Sequence, residues 1–140
     1  MQISRSKSKA TIKLPVFKVQ GDRTPVPDGE YNARITNIEC DKYKNVRDCI
    51  KFTFEIVDGD FVGRQLTGWA NSPKDGKATM NTKLVRWYQA AIGHQMGDDD
   101  VLKLDEIIDH IVVVRTQTNT TKFDNQFSNV VDIVRLVTEL

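Results

Sequence analysis

Two short segments of this 140-residue chain place cationic side chains beside aromatic rings. The first is Asp41-Lys42-Tyr43-Lys44-Asn45-Val46-Arg47-Asp48, with three basic residues around a phenol. The second is Asn119-Thr120-Thr121-Lys122-Phe123-Asp124-Asn125, with a lysine next to a phenyl ring. Such pairs suit a polymer that carries both anionic and flat groups. Cations neutralise phosphates, and rings stack on bases at ~1–3 kcal/mol per base. Each segment alone reads equally well as a solvated loop. Together, and with Lys51, Arg64 and Trp69 between them, they are the candidate nucleic-acid-binding set: Lys42, Lys44, Arg47, Lys51, Arg64 and Lys122 to track the backbone, with Tyr43, Phe123 and Trp69 as stacking rings.

Residue types suited to other chemistry are poorly spaced. His94 and His110 stand sixteen positions apart, and with Cys40 and Cys49 they show no usual zinc spacing. Asp98-Asp99-Asp100 is three carboxylates in a turn, a pattern that usually faces water. Gly97-Asp98-Asp99 has the form of a polymerase tripeptide, but this chain is too short for a polymerase. It has neither a phosphate-cradling glycine loop nor a nucleophile motif. The expectation is a non-enzyme with no cofactor and no metal. Two cysteines are too few for a disulfide framework. If residues 41–48 are a hairpin loop, Cys40 and Cys49 lie opposite each other, within bridging range. Two reduced, half-buried side chains are the plainer reading.

The elements that position the candidate residues follow from apolar periodicity. Cys49 to Val57 alternates cleanly, with Ile50, Phe52, Phe54 and Ile56 inward and Lys51, Thr53 and Glu55 outward. A first strand begins at Glu30. Its apolar parity changes between Ile35 and Ile38, which predicts a bulge near Thr36 and Asn37. Asp58-Gly59-Asp60 is a turn, and a third strand is expected from Phe61 to about Ala70, with Gly63 and Gly68 as bulge or bend positions. Its outward face adds Gln65, Thr67 and Trp69. Gly68 leaves Trp69 open to two readings, stacking platform or barrel plug. A helix is expected from an N-cap at Thr79 to Ile92, with Met80, Leu84, Trp87, Tyr88, Ala91 and Ile92 as its apolar stripe and Gly93 just past its end. Leu102 to Ile108 suggests a further helical piece. Strands at about His110 to Thr118 and Gln126 to Leu136 complete the order β-β-β-α-β-β. The expected fold is all-β with one main helix: a five-stranded OB-fold barrel over 26–140, preceded by a basic arm and linker over 1–25. OB-folds bind through strands two and three and the loops joining strands one–two and four–five, which is where the candidate residues fall.

Charge is unevenly distributed. Residues 1–21 hold Arg5, Lys7, Lys9, Lys13 and Lys18 and no acid, giving +5 and leaving −4 for the rest of a chain of net +1. Six acids lie between Asp98 and Asp109, opposed only by Lys103. A basic footprint for nucleic acid is therefore local or supplied by the arm. The arm has three readings: phosphate contact, solubilising tail, or an added strand through Ile12, Leu14 and Val16 that would make a homo-oligomer. No run of apolar residues reaches membrane-spanning length and the N-terminus has no secretory apolar core, so a cytoplasmic protein without membrane contact is expected.

Val26-Pro-Asp-Gly-Glu-Tyr-Asn-Ala-Arg-Ile, the strand ending in Val57-Asp-Gly-Asp-Phe-Val-Gly-Arg, and the helix with Leu84 and Ala90-Ala-Ile-Gly carry a resemblance. Over roughly residues 26–136 the chain resembles a family of small proteins encoded by bacteriophages and prophages, long of unknown function. The resemblance implies an OB-like fold and a role as a single-stranded DNA binder in phage recombination and replication, in a bacterial cytoplasm. The chain departs from that pattern in its basic arm. It also ends in Leu-Val-Thr-Glu-Leu rather than the acidic tail through which many single-strand binders recruit partners. The expected partner is single-stranded DNA, with RNA left open. The alternative is a protein-interaction adaptor in a replication, recombination or nuclease complex, docking through the acids between Asp98 and Asp109.

Overall fold

The computed structural model describes residues 14–17, 24–43, 47–74, 77–120 and 126–139. Five strands carry the chain: β1 (Gly29–Tyr43), β2 (Arg47–Ile56), β3 (Gln65–Asn71), β4 (Ile111–Thr120) and β5 (Gln126–Leu136). One helix, α1 (Lys83–Ile92), and a 3₁₀ turn (Leu104–Ile107) lie between β3 and β4. The strands close into a barrel in the order β1-β2-β3-β5-β4, with β1 also pairing β4. All pairs are antiparallel except β3 with β5, which run parallel and meet only at Thr67↔Asn129 and Gly68↔Val130. This is the five-stranded OB-fold arrangement expected from the sequence.

Closure depends on β1. Its first half pairs with β4, and from Ala33 onward it pairs with β2, so one strand must serve two neighbours at an angle. The bend is the bulge between Ile35 and Asn37, where Thr36 Oγ1 donates to the Thr53 carbonyl at 3.2 Å. β1 and β2 stay paired as far as Tyr43↔Arg47, so the strands run into the segment expected as a loop. Cys40 therefore faces Ile50, and Cys49 faces Asp41. The two thiols are not opposed and both are free, Cys40 exposed and Cys49 buried.

The third strand begins later than its apolar residues suggest. Phe61 and Val62 belong to a turn in which Gly63 N–H donates to the Ile56 carbonyl and Arg64 N–H to Phe61. Gly59 and Gly63 supply its left-handed backbone, at φ 81° and 89°. Gly68 is neither bulge nor bend: it sits in regular register opposite Phe52. Its lack of a side chain serves the core instead. Trp87 of α1 is fully buried and meets Phe52 and Phe54 edge-on at centroid distances of 5.1 and 6.3 Å. A Cβ on Gly68 would lie 2.7 Å from Trp87 Cη2 and 3.1 Å from Val130 Cβ. The barrel plug is thus Trp87, held by a close approach only glycine allows.

α1 starts three residues later than the Thr79 expected from sequence. Thr82 is the N-cap: its Oγ1 accepts from Val85 N–H at 3.4 Å while its hydroxyl donates to the Thr79 carbonyl at 2.8 Å. Met80 precedes the helix and is 40% exposed, so it is not part of the buried stripe. Gly93, left-handed at φ 84°, closes the helix by donating to the Gln89 carbonyl. Thr82→Ala should lower unfolding free energy by about 0.5–1 kcal/mol, the low end for a cap because the bond is long. Urea denaturation followed by far-ultraviolet circular dichroism checks it.

Candidate nucleic-acid interface

The outer face of β2 and β3 is built by cross-strand pairs. Register sets Lys51 opposite Trp69 and Thr53 opposite Thr67. The inward partners on β3 are Leu66, Gly68 and Ala70, all buried, which turns Gln65, Thr67, Trp69 and Asn71 outward. Trp69 is therefore a half-buried surface ring, with Lys51 Nζ 5.6 Å from its centroid. Lys51 also lies 3.9 Å from Glu39 Oε1, a partly exposed pair that is weak in water.

Two clefts flank Trp69, which with Asn129 lines both. One, of about 540 Å³, runs past Lys51, Thr53, Arg64, Thr67 and Phe127. Phe127, at the start of β5, is 39% exposed, so this cleft has a second ring available. Thr24 and Val26 form its far wall. Val26 N–H donates to Ser128 Oγ at 2.9 Å, and Arg64 Nη2 donates to the Thr24 carbonyl, tying the incoming chain to the edge of the cleft. The other cleft, of about 780 Å³, opens where β3 and β5 part after their short parallel contact. Arg47, Asn71, Lys74, Lys77 and Lys83 line it, with Cys49 in its wall.

Of the residues singled out from sequence, Lys51, Arg64 and Trp69 meet in the first cleft and Arg47 lines the second. Lys42 lines neither. It extends from the hairpin end to Asp48 at 2.7 Å, and that hydrogen bond holds its ammonium above the ordinary lysine value. Tyr43 ends β1 opposite Arg47. Lys44, Lys122 and Phe123 lie outside the described residues, as does most of the basic arm. Sequence reasoning passed over Phe127, Asn129, Lys74, Lys77 and Lys83. Strand parity could have found Phe127 and Asn129, since both alternate with inward Val130. The three lysines had no such signal, because the segment after β3 had to be folded back before they could meet.

Among the described residues, no three His, Cys, Asp or Glu side chains cluster as a metal site, and no helix is long and apolar enough to cross a membrane. Fold and face together define an OB-fold domain whose outer groove carries aromatic and cationic side chains. The chain belongs to the family described as protein of unknown function, DUF669, which matches it over residues 16–137. No curated protein matches it.

Proposed function

We propose that this protein binds single-stranded DNA with little sequence preference and acts in phage-type replication or recombination. The observation that carries the reading is Trp69: a partly exposed indole, flanked by an ammonium, on the face where OB-folds bind polymers, with a cleft on either side. Ring and cation together suit base and phosphate, and neither contact selects a base.

Fluorescence anisotropy on labelled oligonucleotides tests this. Single-stranded DNA, the same sequence as RNA, and duplex DNA are titrated across about 50–200 mM salt. The expected result is preferential binding of the single strand, with log affinity falling linearly against log salt at about −0.7 per phosphate neutralised. Absence of binding to single-stranded DNA at low salt would overturn the reading, and equal affinity for duplex would assign binding to the arm alone.

A second reading, a protein-interaction adaptor, is favoured by the face around Asp98–Asp100. Those carboxylates edge a third cleft, with Met80, Met96, Leu102 and the 67% exposed Val101 beside them. A chain with no affinity for any oligonucleotide would leave this reading in place.

A further inference from the structure

The cleft between β3, β5 and the start of α1 has an unusual charge pattern. Its described lining includes four cations, Arg47, Lys74, Lys77 and Lys83, and no carboxylate. Lys83 is the most informative. Its ammonium is half-buried and lies 4.7 Å from the centroid of Trp87, yet none of the described residues forms an ion pair with it. The carboxylate that acts on it with opposite sign, Asp132, forms its ion pair with Arg115 at 3.6 Å. Burial pushes the Lys83 ammonium below the ordinary lysine value, with Arg86 adding to the effect and Asp132 opposing it. A cation removed from water without a counter-charge costs stability, and a low-dielectric wall beside several cations concentrates their field.

We infer that this cleft is a phosphate site, taking a phosphate of the strand that stacks on Trp69. The inference rests on the reading above and extends it. The bound strand would leave the sheet face at Trp69 and turn between β3 and β5 toward α1, rather than continuing along the hairpin to Lys42. Several observations favour phosphate. The cleft shares Trp69 and Asn129 with the first, so one strand can occupy both. Ser72 and Thr79 add hydroxyl donors to the cations. At about 780 Å³ it has room for more than a bare ion.

Lys83→Gln removes the charge and keeps much of the stem, and Lys83→Arg restores the charge. A thermal melt of each establishes that the barrel is intact. On a labelled single-stranded oligonucleotide, with and without a 5′-phosphate, Lys83→Gln should weaken binding by about tenfold, as loss of a charge-assisted contact does, and should make the salt slope shallower by about 0.7. Lys83→Arg should recover most of the affinity. A loss confined to the 5′-phosphorylated strand assigns a terminal phosphate; an equal loss on both assigns an internal one. Calorimetric titration with inorganic pyrophosphate, which has neither base nor sugar, separates the two claims. Pyrophosphate should bind the wild type, compete with the oligonucleotide, and bind Lys83→Gln more weakly. If the oligonucleotide binds Lys83→Gln with wild-type affinity and slope while Trp69→Ala weakens it, the cleft is not a phosphate site and the binding face stands. If the wild type binds no oligonucleotide but takes pyrophosphate through Lys83, the strand path is overturned and the anion site stands. If neither binds, both fail.

Discussion

Trp69→Ala should weaken binding of a single-stranded oligodeoxynucleotide by about 5- to 150-fold, the range that corresponds to ~1–3 kcal/mol of lost stacking. The expected cost to folding is small, because the ring lies on the outer face and the residues beneath the sheet, Leu66, Gly68 and Ala70, do not depend on it. The salt slope should hardly change, since the substitution removes a ring and no charge. That separates it from Lys51→Gln, which should weaken binding less and make the slope shallower. Trp69→Phe keeps a flat surface and should recover most of the affinity. If Trp69→Ala bound as tightly as the wild type, the face of β2 and β3 would not be the binding surface, whatever the arm contributed.

The largest expected effect on stability lies on the other side of the sheet, at the α1 ring that fills the barrel. Trp87→Ala should cost roughly 3–5 kcal/mol, the range for emptying a large aromatic site in a core. Domains of this size have only about 5–15 kcal/mol in total, so the variant should be largely unfolded at modest urea concentrations. Gly68→Ala should cost about 1–3 kcal/mol for the opposite reason: its new methyl enters space held by Trp87 Cη2 and Val130 Cβ. The two changes share one volume, so their effects should not add. The Gly68→Ala/Trp87→Ala double variant should be more stable than the sum of the singles by ~1 kcal/mol or more. Urea midpoints of the four proteins close the cycle, and strict additivity would show that Gly68 and Trp87 do not press on one another.

The sequence made the scaffold legible wherever period and punctuation coincided. β2 alternates without interruption, the parity change in β1 marks its bulge, Gly93 marks the end of α1, and β5 runs from Gln126 to Leu136 as its pattern indicates. Legibility failed where a local signal had two equivalent solutions that only packing separates. Thr79 and Thr82 are both competent caps, and the chain uses the first as an acceptor for the second. Phe61 and Val62 are apolar like a strand, but the left-handed glycines around them make a turn. The facing of Trp69 could not be read past Gly68, because that glycine's role depends on a tryptophan nineteen positions away. For the candidate site the division is similar. The outer face of β2 and β3 follows from alternation, whereas the cationic cleft is gathered from β2, the segment after β3 and the first residue of α1.

Trp87 Nε1 is the one buried side-chain polar atom among the described residues without a hydrogen-bond partner. An indole in that condition is shielded from water, so it emits at shorter wavelength than a surface indole and is poorly reached by a dissolved quencher. Trp69 emits from a half-wet surface, further to the red and open to quenching. The chain has two tryptophans, so its emission resolves into a buried and a surface component without any label. The surface component reports what lies on the sheet, the buried one reports whether the barrel is closed, and the Lys83 ammonium near the Trp87 ring gives the buried component a view of charge in the cationic cleft.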